Sequence, residues 1–264
     1  MNHQHYIDAN QARWDETATI HHDWYFQQLR DKVAAPGFNA LDAVETVSFE
    51  RMGLPGKAVI QLGCNNGQQL ISLYRAGAAR CCGVDFSAPF IDQARTLADA
   101  AGAVIDFICA DIYSLPQQAP GKFDIVYVNV GVLGWMPDLD GFFAVIATLL
   151  GPGGQLFIYE MHPVLDMFEP ETGLVVTQSY LRRQPFELDE ADYLDPTKKA
   201  AATSFWFHHP LGEIVTTCIK HGMTLTALQE YQHDISATYR DFEQAAHALP
   251  MCYTLLATKN AVTA

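Results

Sequence analysis

Between about residue 58 and residue 160 the hydrophobic positions follow two alternating rhythms. Short apolar runs mark strands: AVIQL (58–62), CCGVDF (81–86), VIDFICA (104–110), FDIVYVNV (123–130) and QLFIYE (155–160). Between them, apolar residues return at helical spacing. Leu70, Leu73 and Tyr74 do so in the segment 67–76. Phe90, Ile91, Ala94, Leu97 and Ala98 do so behind Ser87, a residue type that caps helices. A third stripe, Phe142, Val145, Ile146 and Leu149, follows Asp138 or Asp140 as cap and stops at GPGG (151–154). Strands alternating with helices at this pitch predict a parallel, doubly wound sheet. Runs that are apolar on both faces are what its central strands require.

Outside that region the rhythm changes. The first 50 or so residues read as helical and aromatic, with Trp14, Trp24, Tyr25 and Phe26, and predict a cap across the top of the sheet. Beyond residue 160, VVTQSYLRR (175–183) and ATSFWF (202–207) predict an antiparallel hairpin around a charged loop. A helix over 211–221 follows, with Leu211, Ile214, Val215, Cys218 and Ile219 on one face and Gly222 as its stop. TLTALQEY (224–231) and MCYTLLATK (251–259) are the last two strands, with a short helix near 239–248 between them. The expected fold is α/β: a Rossmann-like, doubly wound, mostly parallel sheet of seven strands. It carries a helical N-terminal cap and an antiparallel insert after strand five. One domain is expected, divided into cap (1–52), core (53–160), insert or lid (161–209) and the C-terminal part of the core (210–264).

Composition narrows the chemistry. Of the 264 residues, 49% are hydrophobic, enough for a full core. The formal net charge of -14 repels phosphate backbones and anionic lipid, which argues against a nucleic-acid or membrane partner. Six scattered cysteines, without a CxxC pair, read as buried reduced thiols. MNHQHYIDAN lacks the apolar core of a signal peptide, and no apolar run approaches the ~20 residues that span a bilayer. A soluble, cytoplasmic monomer or homodimer is expected.

In a doubly wound sheet, ligands bind beyond the carboxyl ends of the strands, so the first strand-to-helix turn is the place to look. That turn is Gly63-Cys64-Asn65-Asn66-Gly67-Gln68. It fits the G-x-G-x-x-G pyrophosphate fingerprint poorly, and no G-K-[ST] follows to make a P-loop. Asp85 ends the second strand, 18 residues past Gly67, where a carboxylate can accept both hydroxyls of a ribose. Asp111 ends the third strand and can face an adenine amino group; Asn129 ends the fourth. Acidic groups at the ends of strands two and three, without a phosphate cradle, describe an adenosine that carries no phosphate.

With these residues in place, the chain resembles the class I S-adenosylmethionine-dependent methyltransferases over roughly residues 10–260. The resemblance rests on GCNNGQ, GVDFS, CADIYSLP and LLGPGG. It is closest to a small-molecule group with an N-x-x-x-W segment before the domain and versions of GVLGWMPDL, YEMHP and HHPLGEIV, all present here. The resemblance implies S-adenosyl-L-methionine as cofactor and S-adenosyl-L-homocysteine as product. It implies cofactor contacts from Gly63, Asn65, Asn66, Gly67 and Gln68 in the loop, and from Asp85, Phe86 and Ser87 after strand two. Asp111 and Ile112 follow strand three, Asn129, Val130 and Gly131 follow strand four, and Trp14 and Tyr25 close over from the cap. Gln61 departs from the pattern, because most relatives have an acid there. A neutral amide cannot pair ionically with the methionine ammonium, though it can hydrogen-bond loop amides.

The expected reaction is in-line methyl transfer to a small-molecule O, N or S acceptor, with a base to remove the acceptor's proton. His162, just after strand five, is the first candidate; a loop-orienting histidine is its alternative. Glu160 is a base, a partner that orients His162, or a structural acid. His208 and His209 are candidates to line the pocket, as are His21 and His22 in the cap. Trp135 is an acceptor-pocket wall, a shield for the sulfonium, or core. No metal is expected, since neither H-x3-H nor H-E-x-x-H spacing occurs. The rival readings are a catalytically silent protein that binds the same cofactor, an aminopropyltransferase, or a nicotinamide-dependent oxidoreductase.

Overall fold

The computed structural model describes residues 3–117, 121–189, 192, 195, 197–236 and 238–261. Helix α1 (Gln4–Ala34) and helix α2 (Ala43–Arg51) precede strand β1 (Ala58–Leu62). Then come α3 (Gln68–Arg75), β2 (Arg80–Asp85), α4 (Ala88–Ala101), β3 (Ile105–Cys109), β4 (Phe123–Val128), α5 (Leu139–Leu149) and β5 (Leu150–Met161). The insert holds β6 (Phe186–Leu188) and β7 (Ser204–Trp206), followed by α6 (Leu211–Lys220), β8 (Met223–Tyr231) and β9 (Cys252–Lys259). The main sheet has seven strands in the order β3-β2-β1-β4-β5-β9-β8. Strands β1 to β5 run parallel, and β9 is antiparallel to both β5 and β8. This is the sheet the hydrophobic pattern predicts. Its order reverses between β1 and β4, where the glycine loop ends β1.

Alternation along the strands sorts the core into two faces. Ile60, Leu62, Val126, Val128, Leu156 and Ile158 pack with α5 and α6 through Phe142, Phe143, Ile146 and Ile214. Val59, Cys81, Ile125, Tyr127 and Phe157 point the other way, onto Phe49, Leu70, Leu73 and Ile91. Helix α2 starts on a capping box, in which the Asp42 side chain and the Glu45 side chain each accept the other's backbone N–H. Asp138, not Asp140, caps α5 by accepting from Gly141 N. No described helix is long and apolar enough to cross a membrane.

Several local expectations are corrected. The first arm of the insert hairpin lies at Phe186–Leu188 and not at 175–183. Tyr180 is already engaged: its carbonyl faces His208 Nε2 at 2.6 Å and its hydroxyl accepts from Leu211 N. Val175, Val176 and Leu181 around it stay exposed. The helix near 239–248 is only a 3-10 turn, Arg240–Gln244. Just before it the Asp234 carboxylate accepts Ser236 N and Tyr239 N, a local bonding pattern that competes with helix. GPGG does not separate α5 from β5. It forms a bulge inside β5, whose register to β4 jumps from Phe123↔Leu150 to Ile125↔Gln155. Ser87 stands at the N-cap of α4, but its hydroxyl donates to Asp15 Oδ1 and does not cap. Five cysteines are buried as expected, whereas Cys109 is exposed at the end of β3.

Helix α1 lies across the carboxyl ends of the strands and joins core to insert. On the core side Gln93 Nε2 donates to Ala18 O and Gln11 Nε2 to Phe86 O, both at 2.8 Å. Arg75 secures its far end, donating to Val33 O and Ala35 O where the helix's last carbonyls lack partners. On the insert side the buried Asn10 amide donates to Phe205 O (3.0 Å) and accepts from Phe205 N (2.7 Å), as a neighbouring strand would. Asn10→Ala removes both bonds and leaves two strand groups unpaired. We expect a loss of about 2 kcal/mol in urea unfolding, with faster amide exchange concentrated in 200–207.

Candidate active site

The glycine loop turns through three left-handed residues: Gly63 (φ 67°), Asn65 (φ 49°) and Gly67 (φ 75°). Asn65 is the only non-glycine with positive φ among the described residues. Asparagine tolerates that region, and here its Oδ1 accepts Asn66 N at 2.7 Å. A side chain at Gly63 would meet Val132 at 2.7 Å, and one at Gly67 would meet Phe107 at 2.9 Å. The loop is therefore wedged between the segment after β4 and strand β3. Tyr25 reaches it from α1 and lies beside the side chains of Asn66 and Gln68, which bond each other.

Asp85 braces the loop. Its Oδ2 accepts Asn65 N (2.8 Å) and its Oδ1 accepts Ser87 N (3.0 Å). Burial pushes its carboxyl up to about 6, although both amides favour the charged form. Asp111 is half-buried. Its Oδ1 accepts Tyr113 N, and burial raises its carboxyl too. Ile112 beside it belongs to the apolar cluster that includes Val132 and Leu133. Phe86 is partly buried and Val130 exposed, flanking the same end of the sheet.

At the β1–β4 junction, Gln61 is fully buried. It does not bond the loop amides; its Nε2 donates to Asn129 Oδ1 at 3.2 Å. Its Oε1 is buried without a partner among the described residues, an acceptor that a ligand N–H would satisfy. Glu160, at the end of β5, holds the segment after β4. Its Oε1 accepts Gly131 N (2.6 Å) and Met161 N (2.8 Å), and its Oε2 accepts Leu133 N (3.1 Å). Burial nonetheless pushes this carboxyl up to about 7. Glu160 is thus engaged with backbone on both oxygens and does not orient His162.

Trp135 is the middle of three edge-to-face indoles. It stands 5.4 Å from Trp14 of α1 and 5.2 Å from Trp206 of β7. Trp206 lies so close to Gly134 that a Cβ there would fall 2.2 Å from its ring. Trp206 Nε1 donates to Asp166 Oδ1, and Phe207 N donates to Gly134 O. The insert is fastened directly over the loop after β4.

The histidines separate by which nitrogens are engaged. His162 Nδ1 accepts Val164 N, and its buried Nε2 approaches Glu230 Oε1 at 2.9 Å, outside hydrogen-bond alignment. This ring caps the turn Pro163–Met167 through Nδ1. His208 lies between Asp166 Oδ2 (2.7 Å) and Tyr180 O (2.6 Å), with both nitrogens occupied. His21 is buried, its Nε2 3.1 Å from both oxygens of Asp192, and joins α1 to the insert. His22 is 58% exposed, stacked on Phe26 beside Asp23. His209 differs. Its Nε2 lies 2.9 Å from Met136 O, which fixes that nitrogen as the N–H, and no described group bonds Nδ1. Burial lowers its pKa and favours the neutral ring. Asn10, Asp166 and Trp206 were missed in the sequence. Asn10 is the first residue of the N-x-x-x-W signature, which was the available signal.

Glu160 and Asp85 both bind protons in the folded state at pH values where the unfolded chain has released them. Stability from these groups is therefore fully present below the ordinary carboxylate range. It falls as pH rises through that range and levels off above about 6 to 7. Glu160→Gln turns an NH2 toward backbone N–H groups. We expect the decline in melting temperature between about pH 5 and pH 8 to shrink in the variant, with altered tryptophan fluorescence as the Gly131–Trp135 segment loosens.

Residues 60–158 match the family described as a methyltransferase domain. A ubiquinone biosynthesis O-methyltransferase from Xanthomonas euvesicatoria pv. vesicatoria is 28% identical over 153 residues, covering 56% of this chain and 60% of that protein. Its namesake from Aromatoleum aromaticum is 35% identical over 105 residues, covering 40% and 44%. The chain thus spans less than two thirds of the length of these curated relatives. Among solved structures, an S-adenosylmethionine dependent methyltransferase from Mesorhizobium loti shares the fold, with a TM-score of 0.58 at 19% identity over 82% of this chain and 98% of that one. Residues 60–158 thus match a methyltransferase domain, and the fold is the one shared with S-adenosylmethionine-dependent methyltransferases of known structure.

Proposed function

We propose that the protein transfers a methyl group from S-adenosylmethionine to a hydroxyl of a small molecule. The observation that carries this reading is the cradle at the β1–β4 junction. There a left-handed loop braced by Asp85 meets a half-buried Asp111 and the unpartnered Gln61 carbonyl, with α1 above. Asp85 and Asp111 would hold the ribose and adenine, and Gln61 Oε1 would accept an N–H of the methionine part. When bound, the cofactor supplies a methyl group already activated on a sulfonium. The chain's share is to exclude water with Trp14, Trp135 and Trp206, to orient the acceptor, and to take its proton.

His209 Nδ1 is the base in this reading. The Met136 carbonyl sets the tautomer, and burial keeps the ring neutral below the usual histidine range. An oxygen acceptor is favoured because a hydroxyl needs such a base, and because the curated relatives are named O-methyltransferases.

Calorimetry should show micromolar binding of S-adenosylhomocysteine, lost in Asp85→Ala. Absence of binding, with NADH binding instead, would sink the reading. A screen of hydroxylated metabolites by release of S-adenosylhomocysteine identifies the acceptor. With it, His209→Ala should lower kcat on the order of 10²-fold and leave cofactor affinity unchanged. Wild-type activity should persist below about pH 6.5, since the lowered pKa keeps the base unprotonated there.

A further inference from the structure

Beneath the insert lies a small pocket of about 20 Å³, lined by Gly134, Glu160, His162, Trp206, His209 and Tyr253, among others. That volume holds one water or one oxygen substituent. Tyr253, on β9, is fully buried, and its hydroxyl has no hydrogen-bond partner among the described residues. Leaving a buried hydroxyl unpaired costs about 1–3 kcal/mol, so such a group calls for an occupant. The His162 ring stands edge-on to Tyr253, 6.1 Å between centroids, and narrows the space from one side. Trp206 and Phe207 of the insert line it as well.

We propose that this cavity is a specificity subsite that receives a second oxygen of the acceptor, with the Tyr253 hydroxyl as its hydrogen-bond partner. The inference rests on the methyltransferase reading above. Position decides which oxygen is meant. The cofactor cradle lies at β1 and β4, and β9 is two strands beyond β4 in the sheet. At ~4.8 Å per strand that is roughly 10 Å, too far for the oxygen under attack, which must approach the methyl at near-attack distance. The acceptor class that follows carries two oxygens some ångströms apart, joined by an apolar body that fits between Trp135, Trp206 and Phe207. Tyr253 is thus a specificity residue rather than the base.

The test uses phenol, catechol, resorcinol and hydroquinone as probes, with wild type and Tyr253→Phe. Phenylalanine fits the same space and removes only the unpaired hydroxyl, so the variant should melt no lower than wild type and bind S-adenosylhomocysteine equally. Wild type should favour at least one dihydroxy probe over phenol by about tenfold in kcat/KM. In Tyr253→Phe that preference should vanish through KM, with phenol turnover unchanged. Equal use of phenol and the dihydroxy probes by wild type, a preference that survives Tyr253→Phe, or methylation of none of the four would overturn the inference. So would a crystal structure with the preferred probe bound in which a water still occupies the cavity. Failure to bind S-adenosylhomocysteine would instead overturn the methyltransferase reading.

Discussion

A carboxylate taken out of water must find its hydrogen bonds in protein, and Glu160 finds three in backbone amides. Those amides fix the course of the chain after β4. That course brings Gly134 under Trp206 and Trp135 between two other indoles. The insert then docks through Phe207 on Gly134, and α1 through Trp14 on Trp135. The roof of the site depends on one buried charge at the end of one strand. The raised pKa of that charge measures how reluctantly it is buried there.

Asp85 does the same at the other side of the β1–β4 junction, joining the glycine loop to the start of α4. Both acids were read in the sequence for chemistry on a ligand. The structure gives each a prior task of holding loops, and in each that task engages both oxygens. Gln61 shows the converse. It reads as a weakened position in the sequence, yet it keeps a buried acceptor unpaired beside the loop.

The sheet and its cofactor end were legible because local patterns determine them. Period-two and helical apolar stripes fix the strands and helices, and a left-handed turn needs residues such as Gly63, Asn65 and Gly67. The insert was not legible in the same way. Its register depends on Asn10 and Tyr180, partners remote from its strands. The histidines were found, with His162 placed first on its position after strand five alone. What separates His209 from His162 is which ring nitrogen lacks a partner, and that is set by Met136 O and Val164 N in three dimensions.

The bond pair between Asn10 and Phe205 joins positions 195 residues apart. During synthesis α1 leaves the ribosome well before the strand it will pair with has been translated. The Asn10 amide therefore waits, both of these bonds unmade, until Phe205 has been added. A nascent core could complete its parallel strands in that interval while its cofactor end stayed unroofed. Closure of the site is then among the last events of folding, and release of an incomplete chain would yield a folded sheet without an enclosed place for chemistry.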